Sequence, residues 1–392
     1  MAKKNDPKKL VSGLFGQAEK SVKGTAGPLF RLHEMQAKFG TRRYLSTGYP
    51  SFDMHLMHNK ERTEYGFPYG RIVGIHGASG ALKTTFTYQS LAKNVAKGGH
   101  SLYLTTEDFD ADYAEMFLQR EGMTGDLSQY DYSAKFIHNM DVLDETVKAF
   151  LKPYVEAADK LEDMGEDPLD HLPPIMIGCD SIGALIAGVD HKRLEKKGIK
   201  EGKQVGVKAS EIHSFFQLNM MKFARLGVLF LYTNHFRDNI GFGNAKYTVA
   251  HDSALKYYAT LRVRVQRGWD KDMMSKKSSA NREYRQGWPF VAKIYKIRQE
   301  TVLAGEVEIP YVNTMGLDYT ASLVDAGMMS GVAKLWGGVY TIDVDDDHYL
   351  APWNGKYAKA DLRDLIKENA EFRVKLEKAS LKAGAESVQE FD

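Results

Sequence analysis

The segment Gly77-Ala-Ser-Gly-Ala-Leu-Lys-Thr84 carries the residue types that hold a phosphate. Lys83 offers a point charge to β- and γ-phosphate oxygens, and the Thr84 hydroxyl is placed to ligate Mg²⁺. Small residues let backbone N–H groups crowd an anion at the start of a helix. Gly77, Ala78, Ser79, Gly80, Ala81, Leu82, Lys83, Thr84 and Thr85 therefore form the candidate nucleotide-binding set. One position departs from G-x-x-x-x-G-K-[ST]: Leu82 stands where the last glycine belongs. A side chain there restricts the backbone, so the loop is expected to take a slightly different path. An ordinary glycine-containing turn is the plainer alternative.

Three further residues follow apolar runs. Asp180 ends Ile175-Met-Ile-Gly-Cys179, where a carboxylate can hold Mg²⁺ or its water, or cap the next helix. Glu107 follows Leu102-Tyr-Leu-Thr-Thr106, where it could orient or deprotonate a water aimed at a γ-phosphate. A solvated surface glutamate is the alternative. His235 follows Leu229-Phe-Leu-Tyr-Thr-Asn234 and opens into a loop, as a nucleotide sensor or as a satisfied loop histidine.

The elements that must position these groups read as α/β. Strands are expected at 71–76, 101–105, 175–179, 227–233, 260–266 and 291–298, and a helix from Thr84 to about Ala96. Helical patterns between the first four strands imply crossovers and a largely parallel sheet, with ligands at the strands' carboxyl ends. A helix is expected over 7–22, packed on its own core or on a neighbouring subunit. The polar stretch 270–287 reads as a loop or hairpin tip. After Gly316 the chain becomes a small mixed segment ending in a helix over 360–376. This divides the chain into 1–40, 41–316 and 317–392.

Composition bounds the class. Of 392 residues 43% are hydrophobic and 27% charged, which suits a soluble globular protein. No apolar run reaches membrane length, and the single cysteine, Cys179, fits a reducing cytoplasm. The net charge is only +2, but residues 1–43 carry ten Lys/Arg against three acids, and 190–208 seven against three. The segment 188–208 contains Lys192, Arg193, Lys196, Lys197, Lys200 and Lys203; 236–250 contains Arg237, Phe242, Lys246 and Tyr247. Flexible basic loops carrying aromatics suit single-stranded nucleic acid, where charge follows the backbone and rings stack on bases. A pair of solvated surface loops is the equal alternative.

Taken together, these segments resemble the RecA recombinase family over almost the whole chain. Ser46-Thr-Gly-Tyr-Pro-Ser-Phe-Asp53 is similar to its STG-x-x-x-LD segment, and Gly66-Phe-Pro-Tyr-Gly-Arg-Ile-Val73 to its approach to the phosphate loop. Gly16-Gln-Ala-Glu-Lys20, Asp180-Ser181 and Ser253-Ala-Leu-Lys-Tyr-Tyr-Ala259 match in order and spacing. Leu82 and His235 resemble the phage UvsX-like branch rather than bacterial members.

The resemblance implies a RecA-like P-loop ATPase core with an N-terminal docking helix and a small C-terminal α+β domain. It further implies ATP and Mg²⁺ as ligands, with Glu107 catalytic and Tyr113 stacking on adenine. By the same resemblance, segments 188–208 and 236–250 are two DNA loops. Lys296 and Arg298, two apart on one strand, become cations reaching a neighbour's γ-phosphate; without it they read as edge-strand charges. The expected protein is a cytoplasmic, bacterial or phage-encoded DNA-dependent ATPase. It would form a helical filament on single-stranded DNA and exchange strands with double-stranded DNA. Single-strand-binding and loader proteins are its candidate partners, with no membrane. A hexameric helicase motor and a regulatory ATPase without DNA function are the alternatives.

Overall fold

The computed structural model describes residues 40–56, 65–197, 206–238, 247–249, 251–268, 274–277, 283–285, 287–297, 305–312 and 316–387, and Met35. The chain divides into two compact units, Met1–Gly40 and Thr41–Asp392, and the elements below belong to the second. The helix expected over 7–22 lies outside the described residues.

Nine strands build the central sheet: β1 (Ile72–Gly77), β2 (His100–Thr105), β3 (Tyr132–Phe136), β4 (Ile175–Asp180), β5 (Val228–Asp238), β6 (Leu261–Arg267), β7 (Gly287–Ile297), β8 (Glu306–Val312) and β9 (Gly316–Leu317). Their spatial order is β9-β8-β7-β6-β1-β5-β4-β2-β3, and Tyr247–Val249 adds a tenth strand against the end of β5. From β3 through β6 every pairing is parallel; β7, β8 and β9 continue the sheet antiparallel.

A parallel strand covered by helices must be apolar on both faces. In β5, Val228, Phe230 and Tyr232 join one core while Leu229 and Leu231 join the other. The second of these cores packs α1 (Lys83–Ala96) and α2 (Ala111–Arg120) through Phe86, Leu91, Phe117 and Leu118. The first packs α3 (Met140–Asp163), α5 (Val207–Leu226) and α6 (Asp252–Tyr258) around that face, with Leu143, Val147, Phe216, Phe223 and Leu255 in its core, while α4 (Gly188–Lys197) lies against α5. Gly178 gives α1 its close seat, because a Cβ there would lie 2.9 Å from the Thr87 methyl.

Beyond β9 the chain forms a smaller layer. α7 (Tyr319–Met329), α8 (Lys359–Glu368) and α9 (Ala370–Ser387) enclose a core of their own with a three-stranded antiparallel sheet. The single helix expected over 360–376 is two helices. Asn369 leaves helical geometry between them and its side chain accepts the Phe372 N–H at 2.9 Å, starting the second helix as an N-cap.

Two other expectations change. Residues 188–197 are helical rather than loop. The Glu211 carboxylate accepts the Gly188 and Val189 N–H groups at 2.8 and 3.3 Å, anchoring this N-terminus. The stretch after Asn234 is not loop at once either, because β5 runs on through His235 to Asp238, where Phe236 pairs with Val249. An antiparallel partner supplies the ladder that the sequence pattern concealed. The tip expected over 270–287 does contain a hairpin pairing of Met274–Lys277 with Glu283–Arg285.

Candidate functional site

β1 delivers the chain into the turn 77–82, and α1 leaves it. Gly77 is required by close approach: a Cβ there would sit 2.5 Å from the Val265 carbonyl oxygen of β6. Leu82 takes φ 64°, ψ 22°, the left-handed region that favours glycine. The expected diversion of the loop is thus not an escape from the glycine conformation; the leucine adopts it, with its side chain packed against the core formed by α1 and α2.

Lys83 is 5% exposed. Its ammonium donates to the Ala78 and Gly77 carbonyls at 2.8 and 3.2 Å. Burial pushes its pKa down, and the charges of Asp180 and Glu107 oppose that. Lys83 Nζ also lies 3.4 Å from His235 Nδ1, while His235 Nε2 lies 3.5 Å from a Glu107 carboxylate oxygen. His235 therefore bridges the buried cation to the more exposed carboxylate. Glu107 is held at its backbone, where its N–H donates to Thr105 Oγ1 at 3.0 Å.

Asp180, 2% exposed at the tip of β4, is the polar hub. It accepts from the Thr84 hydroxyl at 2.5 Å, from the Tyr103 hydroxyl at 3.3 Å and from the Thr233 hydroxyl. Behind the loop, His76 is fully buried between the rings of Tyr232 and Tyr295. Burial, then the Arg262 and Lys83 charges, keep it neutral by driving its pKa well down. A cavity of about 180 Å³ is lined by Ser79, Gly80, Lys83, Thr84, Glu107, Asp180, His235 and Arg267, among others. One strand edge thus gathers Lys83, Thr84, Asp180, Glu107 and His235 from four separate places in the chain.

Other expected site residues fall elsewhere. Tyr113 does not line this cavity. Its hydroxyl lies 2.9 Å from Thr85 Oγ1, and its ring packs edge-on against Tyr88 and Phe117. Lys296, on β7, donates to the Lys256 carbonyl near the end of α6. Lys192 pairs with Asp141 at 2.8 Å and Arg193 with Asp190 at 3.2 Å. The side chains of Lys196, Lys197, Arg237 and Tyr247 lie outside the described residues, as do Lys200, Lys203, Phe242, Lys246 and Arg298 entirely.

Sequence reasoning missed Arg267, Thr233 and Tyr103. Arg267 ends β6, and only the seating of β6 beside β1 brings that end to the loop. Nothing in the sequence marked Thr233 or Tyr103, because pairing with Asp180 depends on strand order.

The donor set suits Mg²⁺. One hydroxyl and one carboxylate share a point beside a lysine, which leaves coordination places for phosphate oxygens and waters. Among the described residues, no cluster of three His, Cys, Asp or Glu side chains would make an all-protein metal cage. None of their helices is long and apolar enough to cross a membrane.

Fold and site define the class: an α/β protein with a candidate nucleotide site at the carboxyl edge of a mostly parallel sheet. The chain is similar to curated proteins named RecA. It is 25% identical to that of Frankia casuarinae over 324 residues, 80% of this chain and 77% of the relative. It is 25% identical to that of Rhodococcus jostii over 323 residues, with the same shares, and to that of Paenarthrobacter aurescens over 285 residues, 71% and 70%. These matches support a place in the RecA family. No family model matches the chain.

Proposed function

We propose that this protein is an ATP-dependent recombinase of RecA type, which assembles as a helical filament on single-stranded DNA and exchanges strands. The observation that carries the reading is the meeting of Lys83, Thr84, Asp180, Glu107 and His235 at one cavity. Lys83, held by loop carbonyls, would turn to the β/γ-phosphates. Thr84 and Asp180 would hold Mg²⁺, which when bound offsets negative charge on the phosphate oxygens. Glu107 would accept the proton of the attacking water. His235 touches both Lys83 and Glu107 and sits on the strand that runs into the segment 236–250, so it would carry phosphate occupancy toward that expected DNA segment. Its presence, with Leu82, favours the UvsX-like branch within the family.

Two ion pairs bear on which cations would contact DNA. Lys192 and Arg193 already hold Asp141 and Asp190, so reaching a phosphate backbone would require exchanging those partners. Counterion release would then come mainly from Lys196 and Lys197 at the end of α4 and from Lys200 and Lys203 after it, with Arg237 and Lys246 in the second segment, where Phe242 and Tyr247 would stack on bases. Lys296 and Arg298 would complete the site of a neighbouring protomer, and ATP between protomers would stabilise the filament.

The test is ATP hydrolysis with and without single-stranded DNA, paired with electron microscopy in a non-hydrolysable analogue. DNA-stimulated hydrolysis and open helical filaments are expected. Closed rings would favour the helicase motor, and hydrolysis indifferent to DNA the regulatory ATPase.

A further inference from the structure

Arg267 is the last residue of β6, the parallel neighbour of β1, and it lines the same cavity as Lys83. Its Nε donates to the carbonyl of Gly80 in the middle of the turn. Gly80 has φ +69°, and a Cβ there would meet the guanidinium at 2.8 Å. The guanidinium carbon lies 3.9 Å from the centre of the Trp288 ring. Trp288 is stacked in turn on Tyr311, with ring centres 5.2 Å apart and planes at 25°. These two rings are directly paired across β7 and β8, so the platform under the arginine is built into the sheet.

We propose that Arg267 is a nucleotide-binding residue supplied by the same chain: a latch on the phosphate loop and a second cation for the polyphosphate. This rests on the nucleotide reading of the site. A carbonyl held by Nε is a carbonyl turned away from the anion, which leaves neighbouring N–H groups to face it. A guanidinium committed through Nε keeps two terminal nitrogens for a phosphate oxygen, and stacking on Trp288 restrains it before the ligand arrives. A lysine cannot make both contacts from one rigid plane, so Arg267→Lys is not a conservative change here.

The experiment titrates a fluorescent ATP analogue against the full chain without DNA, comparing wild type with Lys83→Ala, Arg267→Ala, Arg267→Lys and Arg267→Gln. Arg267→Ala and Arg267→Lys are each expected to weaken binding by about tenfold, with the melting temperature of the free protein unchanged. Arg267→Gln keeps an amide to pack on Trp288 and donate to Gly80, so it tests the charge alone should the alanine variant fold poorly. A smaller but clear loss is expected of it. Wild-type affinity in both Arg267→Ala and Arg267→Gln, with binding still abolished by Lys83→Ala, would overturn the assignment. So would intact nucleotide affinity beside lost binding of a fluorescent single-stranded oligonucleotide, titrated separately against the same variants, which would place Arg267 on a DNA surface. A wild-type protein that binds no nucleotide would instead remove the nucleotide reading beneath it.

Discussion

Leu82 sets two effects against each other, and substitution separates them. Its left-handed backbone costs a residue bearing a Cβ about 1–2 kcal/mol. Its half-buried side chain packs on the core under α1, and trimming it forfeits about 1 kcal/mol of apolar burial. Leu82→Ala loses the burial and keeps the strain, so it should be destabilised by about 1 kcal/mol. Leu82→Gly loses the same burial and relaxes the strain, but it adds about 0.4–1 kcal/mol of unfolded-state entropy. The glycine variant should therefore lie about 0.5–1 kcal/mol above the alanine variant, close to wild type. Urea midpoints of the three proteins, without nucleotide, measure the order directly. An alanine variant as stable as the glycine variant, or more so, would show that position 82 is not strained and refute the reasoning.

Three other outcomes are expected. Thr233→Val removes a donor to the buried Asp180 carboxylate while keeping shape, and should cost about 1.5–3 kcal/mol by urea unfolding and weaken Mg²⁺-nucleotide binding; an unchanged midpoint would remove Thr233 from the hub. Asp53 is fully buried, and burial lifts its pKa from the ordinary 3.8 to about 6 despite hydrogen bonds from Ser46 and Thr47. The folded state thus holds the proton more tightly, so stability should fall by up to about 3 kcal/mol as pH rises from about 4 to about 6. Asp53→Asn should flatten that slope in urea midpoints measured across the window, and an identical slope would place the titration elsewhere. Mixing Glu107→Gln protein with a Lys296→Ala, Arg298→Ala protein should restore DNA-stimulated hydrolysis that neither shows alone, and no gain despite proven co-assembly would make these cations surface charges or groups acting within their own protomer.

Local pattern determined much of this protein. Apolar runs such as Ile72–Ile75 and Ile175–Cys179 announce buried strands because both of their faces must be covered. The turn 77–84 reads as a candidate anion site because glycine, lysine and threonine at that spacing match a phosphate-holding loop, with an ordinary glycine-containing turn as the alternative. Asp180 and Glu107 were legible as strand-end residues, since a parallel sheet puts all such ends on one edge, and His235 reaches that edge by pairing with Gly77 at the end of β1, although its own strand runs on to Asp238. Tertiary structure decided what they touch. That His235 stands between Lys83 and Glu107 follows from β5 lying beside β1, and that Thr84, Thr233 and Tyr103 share one carboxylate follows from the order of β1, β5, β4 and β2. The helix at 188–197 was hidden because its N-terminal anchor, Glu211, is remote in sequence. Arg267 was hidden for the same reason: its partners, Gly80 and Trp288, are near it only once β6 is seated between β1 and β7. Periodicity and spacing are properties of neighbours along the chain, whereas a site is made by neighbours in space.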